Sequence, residues 1–367
     1  MENISAFFYI STITLTDIFW KSLLTWKFSM QSVNTAGAEL YSINVKNNEF
    51  KTKDLTGYEN FLIPNQRTKE IVAEKILTTD HLTDKDISVR DMHLLNILIK
   101  EKRDSLKEKH TELAKSYVIK PQAKINTPNK SSDIDNERAL INSMLTDSSG
   151  IVVYKDPGNT LPIDFIIQNI QTLGDNNVKK IYLSGLVSEV HQQYLDEVNK
   201  HIGSGYFIPD NLINYLDFID NTGRLKALIF TAQFKGIKVQ ALDCIATSVN
   251  LNYKTLHSSE KYVVSMKATN IFSAELINQH QKAEAGKFVV IAREFNFTSS
   301  DHNFDKTNGD PISIASMTDA YSINVELCTD KNGENKISQN NIGDINSLAA
   351  DVTLRRNPEN HLPLRLS

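Results

Sequence analysis

The feature that most constrains the fold is an alternation of short apolar runs with helical stretches in the second half of the chain. The runs "GIVVYKD", "VKKIYLSGL", "IKVQALDC" and "KFVVIAREF" are rich in Val, Ile and Leu, and segments with helical spacing separate them. Strands of this kind alternating with helices indicate a mainly parallel sheet covered by helices on both faces. The sequence therefore predicts an α/β domain, which "DPISIASMTDAYSINVELC" closes with a short helix and a last strand.

A mostly helical region precedes the α/β domain. From Asn65 to Lys115 the apolar residues follow helical spacing, with Ser88 placed as an N-cap. A stretch with two prolines and no period follows, and it predicts a linker. The predicted organisation is an apolar segment over residues 1–29, a mostly helical region over 30–120, a linker over 121–136, the α/β domain over 137–328 and a polar tail over 329–367.

The apolar N-terminal segment, "ISAFFYISTITLTDIFWKSLLTW", is interrupted by Asp17 and Lys21. It falls short of the roughly 18–20 uninterrupted apolar residues of a transmembrane helix. It also lacks the basic region and the cleavage site of a signal peptide. Three interpretations stay open: an interfacial or docking helix, a buried helix of the fold, or an extension from an upstream start codon, with Met30 as the true start.

Charge and cysteine content exclude several classes of protein. A net charge of −4 over 367 residues argues against a general nucleic-acid binder, which would show a basic stripe or patch. Cys244 and Cys328 are far apart and form no C-x-x-C pair, which excludes a cysteine-based zinc site and a disulfide-rich scaffold. Both are predicted to be reduced and buried. The chain also contains no G-x-G-x-x-G, Walker, G-x-S-x-G or H-E-x-x-H motif.

Candidate site residues follow from the predicted sheet, because ligands of a parallel α/β sheet bind beyond the carboxyl ends of its strands. His191 and His280 lie in helical stretches instead and are expected to be packed or exposed rather than ligands. The polar residues to inspect are, strand by strand, Lys155, Asp156, Gly158 and Asn159; Ser184, Gly185 and Glu189; Asp243 and Cys244; and Arg293, Glu294, Asn296, Thr298, Asp301 and His302.

The order of these motifs resembles the superfamily that contains erythromycin-esterase-like hydrolases, ChaN haem-binding lipoproteins and Tiki proteases. The version found in bacterial membrane-targeted effector toxins of the dermonecrotic type is the most similar. The resemblance rests on "DFIIQNIQTLGDNNVKKIYLSGL", "GIKVQALDC", "MKATN" and the Gly-x-Pro turn of "NGDPIS", which stand in the family's order. It covers about half the chain, from Glu137 to Glu326.

The family's catalytic positions are largely replaced. Where the family has Gly-Glu-x-His after the first strand, this chain has "YKDPG", so Asp156 is the carboxylate there. Ser184 and Gly185 stand where the family has Glu, and "AREFNFTS" stands where it has Gly-x-x-His. Asp243 remains as a recognisable polar position. The resemblance implies metal or acid–base chemistry, for which Asp156, Asp243 and Glu294 are the candidate catalytic residues and Asp156, Asp243 and His302 the candidate ligands of a divalent metal.

Three hypotheses follow. The first is a secreted bacterial effector, toxin-like and associated with virulence, whose hydrolase-like α/β domain is a pseudoenzyme. It would act in the host cytoplasm or at a membrane by binding a host protein or a membrane surface. The second is an active metal-dependent hydrolase of the same fold that uses the substituted acidic residues. The third is a structural or immunity-type partner protein. The sequence names no small-molecule substrate.

Overall fold

Seven strands form one sheet in the part of the chain that the structure, a computed structural model, describes. The described residues are 70–75, 86, 88–116, 133–155, 159–247, 259–293, 313–327, 336–339 and 350–356. All of them belong to one compact unit, Thr56–Ser367. The predictions for residues 1–29 and for Met30 lie outside these residues, and the predicted domain boundaries stay predictions.

The sheet is mainly parallel, as predicted. The strands are β1 Gly150–Lys155, β2 Val178–Val187, β3 Lys238–Asp243, β4 Lys287–Arg293, β5 Ala320–Leu327, β6 Lys336–Gln339 and β7 Val352–Arg356. Their order is β3-β2-β4-β1-β5-β7-β6, and among these neighbours the β6–β7 pair is antiparallel. The predicted strands of the α/β domain are therefore confirmed.

Helices precede the sheet and cover it. They are α1 Val89–Ser116, α2 Asp133–Thr146, α3 Leu161–Gln168, α4 Ile170–Asp175, α5 Ser188–Lys200, α6 Asp210–Ile219, α7 Arg224–Phe234, α8 Ser259–Ala283 and α9 Ile314–Met317. The long helix α1 confirms the predicted helical region before the sheet. Its first turn is capped as expected, since the amide of Asp91 donates to Ser88 Oγ at 3.1 Å.

The two faces of the sheet have separate cores, because successive side chains of a strand point to opposite faces. Ile151 and Val153 of β1 pack in one core with helices α2 to α7. Val152, between them, packs in the other core with Leu276 and Ile277 of α8. Covering both faces excludes water from the parallel strands and explains their continuous apolar sequences.

Helix α1 packs against α8. Leu106 of α1 is buried in a small cluster with Ala268 and Ile271 of α8. Lys109 and Glu275 form an ion pair between the same helices, with Nζ and Oε1 2.8 Å apart. None of the helices that the structure describes is both long enough and apolar enough to cross a bilayer.

The C-terminal part of the chain differs from its prediction as a polar tail. It contributes β6 and β7, and β7 pairs in parallel with β5. The few apolar residues of this stretch alternate along β7, where Val352 and Leu354 are fully buried. Arg356 ends the strand in a buried ion pair with Glu137 of α2, with Nε and Oε1 2.9 Å apart. The segment is therefore part of the sheet, held by pairing with a strand distant in sequence.

Candidate functional site

The carboxyl ends of β2 and β3 form the part of the expected ligand-binding edge that the structure describes in detail. Asp243, the last residue of β3, lies there. Asp156, Glu294 and His302 lie outside the described residues, so their predicted roles stay predictions. Glu189 lies at this edge too, although the predicted catalytic and metal-ligand sets did not include it. Its signal in the sequence was its position directly after β2.

Asp243 holds an irregular corner of β2. The β2–β3 register shifts between Leu183 and Val187, and Gly185 within this corner has a φ of 95°, in the left-handed region that favours glycine. The amide of Gly185 donates to Asp243 Oδ2 at 2.7 Å, and Ser184 Oγ donates to Asp243 Oδ1 at 3.3 Å. Asp243 is only 6% exposed. Both of its carboxylate oxygens therefore serve the corner.

Tyr215 holds the same corner from the other side. Its hydroxyl donates to the carbonyl oxygen of Gly185 at 2.8 Å, and its ring lies 4.1 Å from that of His191. The amide of Val187 donates to His191 Nδ1 at 2.8 Å, and burial lowers the pKa of His191 to about 3. His191 is fully buried and neutral, which confirms the expectation of a packed residue.

Glu189 makes the reverse connection, from α5 to the backbone after β3. The amide of Ile245 donates to Glu189 Oε2 at 3.1 Å, and Ser188 Oγ donates to the same oxygen at 3.1 Å. The last residue of β3 thus bonds the backbone of the β2 corner, and the second residue of α5, which follows β2, bonds the backbone after β3. We call the Asp243–Gly185 and Glu189–Ile245 hydrogen bonds the carboxylate clasp.

Glu189 has a raised pKa within the carboxylate clasp. Burial raises the pKa of Glu189 to about 7, and the hydrogen bond from Ile245 and the charge of Lys102 in α1 only partly oppose this. A carboxyl group with a pKa near neutrality at a ligand-binding edge is a candidate proton donor or acceptor. Geometry limits that role, because the oxygen Oε2 is already bonded to the Ile245 amide.

Cys244 stands between Asp243 and Ile245, the residue whose amide donates to Glu189. It is fully buried and reduced, which confirms its predicted state, whereas Cys328 lies outside the described residues. Burial and the charge of Glu189 raise the pKa of the Cys244 thiol to about 12. The thiolate is the nucleophilic form of cysteine, and at neutral pH this side chain is a protonated, apolar packing group.

Helix α1 closes one side of the clasp. The Arg103 guanidinium donates to the carbonyl oxygen of Ala246 twice, from Nε at 3.1 Å and from Nη2 at 2.8 Å. The loop after β3 is therefore fixed by Glu189 on one side and by Arg103 on the other. The helical region before the sheet is part of the structure around this edge.

A divalent metal would need about three converging protein ligands. Among the described residues, no group of three His, Cys, Asp or Glu side chains could hold a metal ion. Asp243 alone among the predicted ligands is described, and its oxygens face the β2 corner.

No protein-family model matches the sequence. No curated protein matches it either.

Several solved structures are similar in part. RRSP, a MARTX toxin effector domain from Vibrio vulnificus, is 14% identical with a TM-score of 0.46 over 72% of this chain and 48% of that one. The C-terminal region of Pasteurella multocida toxin, described as having a thiol-protease-like catalytic triad, is 17% identical with a TM-score of 0.48 over 74% of this chain and 34% of that one. The type III effector HopBA1 is 12% identical with a TM-score of 0.41 over 65% of this chain and 99% of that one.

These structural neighbours are bacterial toxin or effector proteins. The chain spans about half or less of the length of the first two.

Proposed function

We propose that this chain is a secreted bacterial effector of the toxin type, whose α/β domain keeps a hydrolase-like scaffold and acts by binding a host protein or a membrane. The observation that carries the proposal is the position of Asp243, the polar residue that the chain shares with its resembling family. Both oxygens of its carboxylate accept hydrogen bonds within the β2 corner, from the Gly185 amide and the Ser184 hydroxyl.

A catalytic or metal-binding carboxylate needs an oxygen that can reach the reacting group. Asp243 is 6% exposed, and its two oxygens accept from Gly185 and Ser184. A structural brace is the role that this geometry supports. The sequence adds a second argument, since Lys-Asp-Pro-Gly stands after β1 where the resembling family has its Glu and His.

Metal content of the purified full chain tests this proposal. We expect no stoichiometric divalent metal, and we expect Asp156→Ala and Asp243→Ala to leave the metal content unchanged. Asp147→Ala is the matched control, because Asp147 is an exposed carboxylate just before the start of β1, at the end of the strands opposite to Asp243. A divalent metal present at about one per chain, and lost in either variant but not in the control, would refute the binding-only role.

The second candidate is an active hydrolase of the same fold that uses substituted acidic residues. One observation favours it, namely the pKa of about 7 of Glu189, which belongs to the carboxylate clasp at the ligand-binding edge. In that case Asp156 and Glu294, which follow β1 and β4 in the sequence, would complete the set. Hydrolysis of generic ester or peptide substrates with a pH dependence centred near 7, abolished by Glu189→Gln, would favour this candidate over the first.

A further inference from the structure

The edge of the sheet opposite the clasp is rich in lysine. In a parallel α/β domain the strands begin, and the covering helices end, at this edge. The strands β2, β3 and β4 each have lysine at or next to their first residue, and α5, α7 and α8 have lysine in or directly after their last turn. We call this set the lysine edge: Lys179, Lys200, Lys235, Lys238, Lys282 and Lys287.

Positive charge predominates there although the whole chain has a net charge of −4. The carboxylates nearby, among the described residues, include those of Asp175, Asp196, Glu197 and Glu284, and the charge of Asp196 acts on His280 in the last turn of α8. Glu284 bonds Lys238 at 3.0 Å and the buried Lys180 at 2.9 Å, so part of its charge is already used on Lys180.

Helix dipoles account for only part of the lysine edge. Lysine is favoured in the last turn of a helix because it complements the partial negative charge there, which explains Lys200 and Lys282. The same argument does not apply to Lys179, Lys238 and Lys287, which begin strands.

Two exposed aromatic side chains border the lysine edge. Phe234, the last residue of α7, is 73% exposed, and Tyr206 is 56% exposed. Tyr206 contacts Phe230, one turn before Phe234, with ring centroids 4.8 Å apart. Lys235 Nζ lies 5.5 Å from the centre of the Phe234 ring. Aromatic rings and lysines exposed side by side are typical of a surface that meets a membrane interface.

We propose that the lysine edge and its aromatic border, Tyr206 and Phe234, bind the surface of an anionic lipid bilayer. The inference rests on the binding role proposed above and names its partner. A single phosphate group would be bound by donors that converge on one point. These lysines come from six separate elements and are spread along the edge, which suits a surface with many charged headgroups.

Acidic residues directly before β1, β5 and β7 determine which side of the domain would face the bilayer. Asp147, Asp319 and Asp351 lie around Tyr321 of β5, where their charges help to raise the pKa of that phenol. Anionic headgroups would be repelled from these carboxylates. The bilayer therefore contacts the starts of β3, β2 and β4. Phe234, at the end of α7, inserts into the bilayer interface.

Co-sedimentation of the full chain with vesicles tests the proposal. The vesicles are phosphatidylcholine alone, or phosphatidylcholine mixed with phosphatidylserine. The edge variant carries Lys200→Glu, Lys235→Glu and Lys282→Glu, and the matched control carries Lys100→Glu, Lys107→Glu and Lys115→Glu on the exposed face of α1. Both variants change the net charge equally, and circular dichroism checks their folding.

We expect binding that requires phosphatidylserine, is weakened about tenfold or more in the edge variant and is unchanged in the control. Phe234→Ser should also weaken it. No phosphatidylserine-dependent binding by the wild type, or equal binding by the two triple variants, overturns the proposal and leaves an acidic protein as the occupant to test. That failure is separate from a failure of the proposed function, which metal content decides.

Discussion

The amide of Gly185 donates to Asp243 Oδ2 at 2.7 Å, so the carboxylate at the end of β3 determines the path of the neighbouring strand. At this edge of a parallel sheet a carboxylate would ordinarily face a ligand. Here the Asp243 carboxylate instead accepts from the neighbouring strand at Gly185, whose φ of 95° only glycine adopts readily. Asp243 therefore has a structural role, in which it holds the corner of β2.

Removing the Asp243 carboxylate should destabilise the protein. Asp243→Ala leaves the Gly185 amide buried without an acceptor, which costs about 1–3 kcal/mol in the free energy of unfolding. Asp243→Asn keeps an acceptor oxygen of the same reach and should cost less. Urea unfolding of the two variants measures the difference, and an Ala variant as stable as the wild type would contradict the brace.

The pH dependence of stability should carry the signature of Glu189. Its pKa is about 7 in the folded protein, raised by burial from an ordinary value of 4.5. Between these values the unfolded chain releases the proton first, so Glu189 makes the folded state progressively less stable as pH rises from about 4.5 to about 7. Glu189→Gln removes this loss, and its thermal midpoint should exceed that of the wild type at pH 8 but not at pH 4.

A matched control for this pH effect lies on the same helix. Glu197 is exposed on α5, and Glu197→Gln should follow the wild type at every pH. If Glu189→Gln also followed the wild type from pH 4 to pH 8, the carboxyl group would not be buried as described.

The ion pair between Arg356 and Glu137 should be needed for stability. The two side chains are 5% and 2% exposed, and removing one partner of such a pair costs about 3–5 kcal/mol because the other charge stays buried. Arg356→Met should therefore be severely destabilising, and adding Glu137→Leu should restore part of the loss. Arg355→Met, which breaks an ion pair with Glu326 between side chains 49% and 39% exposed, should change stability by at most about 1 kcal/mol. Similar effects for the two arginines would argue that β7 does not belong to the sheet.

Two glycines should respond to alanine in opposite directions. A Cβ at Gly150 would lie 2.5 Å from the ring of Phe288, so Gly150→Ala should lower the stability by about 1–3 kcal/mol. Gly174 lies in α4 with open space around its Cα, so Gly174→Ala should raise it by up to about 1 kcal/mol. Thermal unfolding of both variants checks the packing of β1 against β4, and a stabilised Gly150→Ala would show that packing to be wrong.

The strands and helices of the α/β domain were predictable because their apolar patterns are local. The strand β7 was not, since its burial depends on pairing Val352 and Leu354 with β5, far away in sequence. The position of Asp243 could also be predicted, because it ends a strand. Its partner could not, because the corner at Gly185 forms only when β2 shifts its register against β3. The raised pKa of Glu189 likewise depends on non-local burial at the contact with α1 and the loop after β3.

Amide hydrogen exchange at Gly185 tests the central claim most directly, because it reports the hydrogen bond that occupies Asp243. The account predicts a Gly185 amide that exchanges slowly in the wild type, much faster in Asp243→Ala and at an intermediate rate in Asp243→Asn. A Gly185 amide that exchanges rapidly in the wild type, or at the same rate in Asp243→Ala, would contradict it and return Asp243 to the candidates for catalysis.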